Sequence, residues 1–242
     1  MKLKKPKFWD YNKPNFLSHL LLPLAKITEF KLKFSEKSKK KFDTIKSICV
    51  GNIYVGGTGK TSIAIELKKI LDQEKIRSCF IKKDYKDQKD EQELLKKFGK
   101  TFINKSRVEA LKNAINENYD LAIFDDGLQD SNISYDLSFV CFNKKNMIGN
   151  GRLIPAGPLR ENICSLKEYN NIFLNGNDEN TYSLKDILIK KNMNLNFYDA
   201  KYEIENLDKI NKEENYVVFS GIGNHSTFID TLKENKIKII KE

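Results

Sequence analysis

The stretch GNIYVGGTGKTS, residues 51–62, decides how the rest of the chain is read. Four glycines fall within nine positions, and a lysine followed by two hydroxyl residues closes the run. Glycine lets a backbone approach an anion closely or take positive φ. Successive N–H groups then point inward above the start of a helix, which makes a cradle for phosphate. The strict pattern G-x-x-x-x-G-K-[ST] asks for glycine at position 54, where this chain has Tyr54. The loop is therefore a variant, with its extra glycines inside. Its expected nucleotide cradle is Tyr54, Val55, Gly56, Gly57, Thr58, Gly59, Lys60 and Thr61. In such a loop Lys60 reaches the β- and γ-phosphates and the Thr61 hydroxyl ligates Mg2+.

The surroundings suit that reading. Residues 47–50 with Ile53 form a short apolar run, a buried strand, and residues 62–74 carry apolar side chains at helical spacing. Strands are expected at 78–81, 101–104, 119–126 and 137–142, and helices at 93–98 and 107–118, with 82–92 a charged loop. This alternation predicts an α/β fold: a mostly parallel sheet flanked by helices. The strand in YDLAIFDDGLQD, residues 119–130, ends in Asp125 and Asp126, about 65 residues after the loop. An acid-ended strand there holds Mg2+ from the far side of the nucleotide. Alternation turns the two carboxylates to opposite faces, one toward metal and one toward a neighbour to be oriented. No N-K-x-D guanine reader occurs, so the expected nucleotide is ATP.

The segment GNGRLIPAGPLRE, residues 149–161, holds three glycines and two prolines and breaks the pattern, as a connector or domain boundary does. Further strands are expected at 170–176, 195–202 and 215–224, with a helix at 226–234. The expected organisation is an amino-terminal region (1–34), a phosphate-loop domain (35–148), a linker (149–162) and a second, smaller α/β domain (163–242).

The formal net charge of the 242 residues is +10. Such a surplus favours an anionic partner, or else reflects solvated lysines. No arginine-rich arm or aromatic RNA-binding signature occurs, so nucleic acid is not expected. Cys49, Cys79, Cys141 and Cys164 form no CxxC pair and read as reduced, mostly buried thiols. Residues 16–30 are apolar at helical spacing but include His19, Pro23, Lys26 and Glu29, too short and too polar for a bilayer span. They fit a helix lying in a membrane interface, or one packed on the protein's own core.

The motifs GNIYVGGTGKT, DDGLQD, GRLIPAGPLRE and SGIGN, in that order, resemble the tetraacyldisaccharide 4'-kinase family, P-loop kinases of lipid A biosynthesis. The amino-terminal FWD and LLLPLA resemble that family's membrane-associated start. The resemblance implies transfer of the ATP γ-phosphoryl group, with Mg2+, to the 4'-hydroxyl of a tetraacyldisaccharide 1-phosphate. It places a monomer peripherally on the cytoplasmic face of the inner membrane of a Gram-negative bacterium. It implies a P-loop NTPase-like domain joined to a second α/β domain. By residue it implies Lys60 on phosphate, and Thr61, Asp125 and Asp126 at the metal. It implies Asp90 as the base, from KDEQELL against the family's G-D-E-P, with Glu91 beside it. Arg152 and Arg160 would hold phosphate of substrate or nucleotide. Several positions depart from the family pattern. S-R-G-Y-G is here Lys82-Lys83-Asp84-Tyr85-Lys86, which makes Asp84 and Asp87 rivals of Asp90. The histidine of D-D-G-[FL]-Q-H is Asp130, and the chain stops at Glu242, before the family's D-H pair would arrive. That last departure suggests a truncated chain or a reduced site. A partition- or assembly-type P-loop ATPase, or a catalytically impaired lipid-binding relative, are the alternative functions.

Overall fold

The computed structural model of the chain describes residues 5–34, 39–85, 88–177, 182–221 and 225–241. Strands β1 (Lys46–Gly51), β2 (Ser78–Lys83), β3 (Thr101–Asn104), β4 (Leu121–Asp125), β5 (Leu137–Asn143), β6 (Asn171–Asn175) and β7 (Asn196–Ala200) form one sheet in the order β3-β2-β4-β1-β5-β6-β7. Every pairing in it is parallel. Its helices are α1 (Phe16–Leu20), α2 (Leu22–Phe34), α3 (Lys60–Gln73), α4 (Lys89–Phe98), α5 (Arg107–Asn116) and α6 (Tyr182–Ile189).

Successive strand residues point to opposite faces, and both faces are covered, so the strands read as unbroken apolar runs. Cys49, Ile81, Phe124 and Val140 enter one core with Ala110, Leu111 and Ala114 of α5 and Leu184 and Leu188 of α6. Val50, Phe80, Ile123 and Cys141 enter the other with Ile63, Ala64 and Leu71 of α3 and Leu95 of α4. Cys49, Cys79 and Cys141 are buried and Cys164 is exposed. Burial pushes the Cys79 and Cys141 thiols up to about 12.

Two expectations need correction. The boundary placed at 149–162 does not interrupt the sheet: β6 continues it beside β5, with Val140 opposite Ile172, and β7 continues it beside β6. Among the described residues, β8 (Asn215–Val217) and β9 (Lys238–Lys241), joined through α7 (His225–Glu234), form a separate pair of strands. The glycines and prolines of the segment had suggested a break between domains, but they build a bracket folded back on β1's exit. The helix expected over 16–30 is also two helices, broken at Leu21. Pro23 lacks an N–H and is tolerated in a helix's first turn but not its interior, so α2 begins just before it.

From β1 the chain crosses by α3 to β2 on one side, and from β4 it crosses to β5 on the other. The carboxyl ends of β1 and β4 are therefore the topological switch point, where open α/β sheets hold their ligands.

Candidate active site

The phosphate loop connects β1 to α3 at that switch point. Gly59 caps α3 at φ 79° and Gly56 sits at φ 139°, backbone states that favour glycine. A Cβ at Gly59 would lie 2.8 Å from the Tyr202 hydroxyl and 2.9 Å from Asn175 Nδ2. Two side groups fasten the loop from within. Asn52 Nδ2 donates to Thr58 Oγ1 at 2.8 Å, and Asn175 Nδ2, from the end of β6, donates to the Thr58 carbonyl at 2.5 Å. Tyr54 is buried and turned away from the loop. Its hydroxyl bonds Asp10 and accepts from Lys5 Nζ at 3.0 Å.

The bracket at residues 149–161 holds the loop's entry from outside. Val55 N donates to the Pro158 carbonyl at 2.8 Å and Arg160 N to the Ile53 carbonyl at 2.7 Å. The register brings the Arg160 side chain to Asp126, with Nη1 2.8 Å from Oδ1. Arg152, in the same segment, goes elsewhere. It lines a cavity of about 150 Å3 with Lys26, Glu29 and Asn162, beside α2.

Asp125 closes β4, and Asp126 follows it outside the strand, so their different surroundings come from the turn rather than from strand alternation. Asp125 is fully buried; its Oδ2 accepts from Thr61 Oγ1 at 3.1 Å and from Lys82 Nζ at 2.6 Å. Its Oδ1 is buried and, among the described residues, without a hydrogen-bond partner. Asp126 takes φ 60°, and its carbonyl accepts from the buried Arg107, whose Nη1 is also 3.3 Å from Asp130 Oδ2. Burial alone would push the Asp126 carboxyl up; Lys60, Arg160 and Lys82 overcome this and hold it below the usual carboxylate range.

The orphaned Asp125 oxygen beside the Thr61 hydroxyl suits a hard divalent cation. Among the described residues no group of three or more His, Cys, Asp or Glu could cage a metal. Mg2+ needs no such cage, because it is commonly held by one or two carboxylates together with substrate phosphates.

The carboxylates expected as base are less centred. Asp90 lies exposed in the first turn of α4, while Glu91 turns inward to Lys82, Oε2 to Nζ 2.5 Å. Asp84 is exposed and accepts from Gln92 Nε2 at 3.4 Å. Asp87 lies outside the described residues, as does most of the SGIGN stretch.

The family model described as tetraacyldisaccharide-1-P 4'-kinase (LpxK) matches residues 16–242. The chain belongs to the tetraacyldisaccharide 4'-kinase family. It is 56% identical over 242 residues to the tetraacyldisaccharide 4'-kinase of Pelagibacter ubique (strain HTCC1062), covering 100% of this chain and 77% of the relative. It is 34% identical over 259 residues to that of Rickettsia canadensis (strain McKiel), covering 99% of this chain and 77% of the relative. The fold matches the crystal structure of the "apo" form of LpxK from Aquifex aeolicus in complex with ATP. The TM-score is 0.67 at 23% identity, covering 93% of this chain and 81% of that one.

Relative to this family's motifs, sequence reasoning missed four side chains that the fold brings to the site. Gln129 Nε2 donates to Glu161 Oε1 at 2.6 Å and to the Asn52 carbonyl at 3.0 Å, so DDGLQD and PLRE close on each other through these two side chains. Both lie inside motifs already quoted, and that was the available signal. Asn175 belongs to no recognisable pattern, and Lys82 opens the segment that stands where the family has S-R-G-Y-G, where a lysine by itself reads as solvated.

Proposed function

We propose that the chain is an ATP-dependent kinase that phosphorylates the 4'-hydroxyl of a tetraacyldisaccharide 1-phosphate, a lipid A precursor. One observation carries the reading. At a single sheet end, in a chain of this family, the Lys60–Thr61 loop meets Asp125 and Asp126, with Arg160 of the bracket on Asp126. Phosphoryl transfer asks a protein mainly for positioning and charge stabilisation. Loop amides over residues 54–61 and the Lys60 ammonium hold the ATP phosphates. Thr61 and Asp125 would hold Mg2+, with Asp126 beside them, and the ion would supply positive charge to the nucleotide's phosphates. Arg160 fixes Asp126 and adds its positive field where negative charge develops. The acceptor hydroxyl gives its proton to a carboxylate of the α4 turn, Asp90 being the proposed base and Glu91 its neighbour. Arg152, facing α2, takes the acceptor's phosphate, for which its bidentate fork is suited.

An amphiphilic acceptor requires the enzyme at a membrane. No helix among the described residues is long and apolar enough to cross one. Instead α1 and α2 expose Phe16, Leu17, Leu20, Leu24, Ile27 and Phe30, while Leu21, Leu22 and Ala25 pack against Leu153, Ala156 and Leu159. The segment thus packs on the protein's own core along one face and exposes apolar side chains along the other. We read the exposed face as lying in the cytoplasmic leaflet of the inner membrane, with the protein a peripheral monomer. Lysines near anionic headgroups add about 1 kcal/mol each.

The test is transfer of label from γ-labelled ATP to a tetraacyldisaccharide 1-phosphate. Acceptor-dependent transfer is expected, and Lys60→Ala should lower its rate about 100- to 1,000-fold with little change in melting temperature. Hydrolysis indifferent to acceptor would point to an assembly-type ATPase. Vesicle binding without either activity would point to an impaired lipid-binding relative.

A further inference from the structure

Lys82 has only 1% of its side chain exposed and takes no part in the phosphate cradle. Its Nζ donates to Asp125 Oδ2 at 2.6 Å and to Glu91 Oε2 at 2.5 Å. One ammonium thus joins the end of β4 to the first turn of α4. That turn has few other fastenings: its N-cap, Gln88, makes no side-chain cap, and the helix buries only Gln92 and Leu95. The Asp125 oxygen that Lys82 grips is the one that accepts from the Thr61 hydroxyl. A cation placed between two carboxylates cannot leave cheaply, since an uncompensated buried charge costs several kcal/mol.

We infer that Lys82 is a positioning residue with two linked effects: it fixes the α4 turn carrying Asp90 and Glu91 against Asp125, and it makes Mg2+ bind Asp125 against a standing positive charge. The first effect keeps the acceptor-side carboxylates at a set distance from the nucleotide. The second loosens the metal, which favours release of Mg2+·ADP after each turnover. The inference rests on the reading of Thr61 and Asp125 as the metal side.

The test measures the Mg2+ dependence of ADP binding by calorimetry, with amide exchange over residues 89–95, in the wild type, Lys82→Met and Glu91→Gln. Loss of a charge-assisted bond should speed exchange of the α4 turn about tenfold in both variants. Only Lys82→Met should lower the Mg2+ concentration for half-saturation, also by about tenfold, as removing an adjacent charge does. A merely structural lysine would destabilise the protein and leave the Mg2+ dependence where it was, and that result overturns the inference. Unchanged exchange in Glu91→Gln overturns it equally. Wild-type ADP binding that ignores Mg2+ would defeat the metal-side reading itself, and this inference with it. Should Lys82→Met not fold, Lys82→Arg decides: retained α4 protection with wild-type Mg2+ dependence is expected, and loss of either overturns the inference.

Discussion

At the carboxyl ends of β1 and β4 the chain buries charge, and along α1 and α2 it exposes apolar side chains. Lys82, Asp125 and Arg107 are buried, whereas Phe16 is 80% exposed. Both regions invert the usual distribution, in which charged residues stay wet and large apolar ones do not. The buried charges are tolerable because each is paired: Lys82 with two carboxylates, Arg107 with Asp130 and the Asp126 carbonyl. On the exposed apolar face Phe16, Leu20, Leu24 and Ile27 stay largely in solvent. That face is held in place from behind, where Ser18 Oγ donates to the Ala156 carbonyl at 2.6 Å and Trp9 Nε1 to the Pro155 carbonyl at 3.0 Å. The bracket that holds α1 also holds the phosphate loop, so both inversions hang on one short segment. The difference suggests what each region serves. Paired buried charge is satisfied within the protein and sets geometry, while the exposed apolar face is the part proposed to lie against a membrane.

The largest expected effect tests the second half of that contrast. Replacing Leu20, Leu24 and Ile27 together by glutamate should weaken binding to anionic vesicles by about 4.5 kcal/mol, at roughly 1.5 kcal/mol per side chain no longer buried. All three are exposed, so the melting temperature should barely move. Vesicle flotation with a parallel melt checks both. A variant that still binds vesicles, or that unfolds, would show the face to be something other than a docking surface.

The next effect tests the first half, through two neighbours. Asp125→Asn strips Lys82 of one of its two anionic partners in a dry site, and breaking a buried pair costs about 3 kcal/mol. Asp126→Asn weakens a pair whose arginine is 27% exposed, and should cost about 1 kcal/mol. Urea midpoints at constant m-value would order the two. Equal losses would mean that Lys82 is better solvated than its packing indicates.

Much of this was legible in the sequence, for reasons that also mark the limits. The loop and the β1, α3 and β4 elements carry signals in their own residues: glycines at fixed offsets, apolar runs and acids at a strand's end. Helix α4 extends upstream of its expected start, so Asp90 and Glu91 lie in its first turn. The charged run 82–92 reads as a loop from Lys82 on, yet Lys82 continues β2 as a buried residue. A lysine in one sequence reads as solvated; here two carboxylates, 9 and 43 positions away in sequence, make it internal. Helix α6 and strand β9 were also missed. The first is eight residues beside an asparagine-rich stretch, and the second is KIIK, four residues long. The linker was misjudged because glycine and proline report a turn without reporting what the turn packs against.

The smallest effect belongs to a charge that fits neither half of the contrast. Asp136 lies at the opposite end of the sheet, between β4 and β5. Its Oδ2 accepts from Ser47 N and from Ser47 Oγ, both at 2.9 Å, and Lys41 Nζ stands 3.3 Å from Oδ1. Partial burial would raise its carboxyl, but the Ser47 bonds and Lys41 outweigh this and hold it below the usual range. A carboxyl depressed in the folded state contributes stability above its unfolded pKa, about 3.9, and loses it as pH falls through the folded value. Asp136→Asn should therefore cost about 1 kcal/mol at pH 7 and progressively less below about pH 4. Kinase rate should be unchanged, because the strands run about five residues, some 15 Å, between this end and the nucleotide loop. Melting temperatures of the two proteins measured from pH 7 down to pH 3 should converge. A constant gap at every pH would mean that the carboxylate charge contributes nothing there, and that only the shape of the side chain matters.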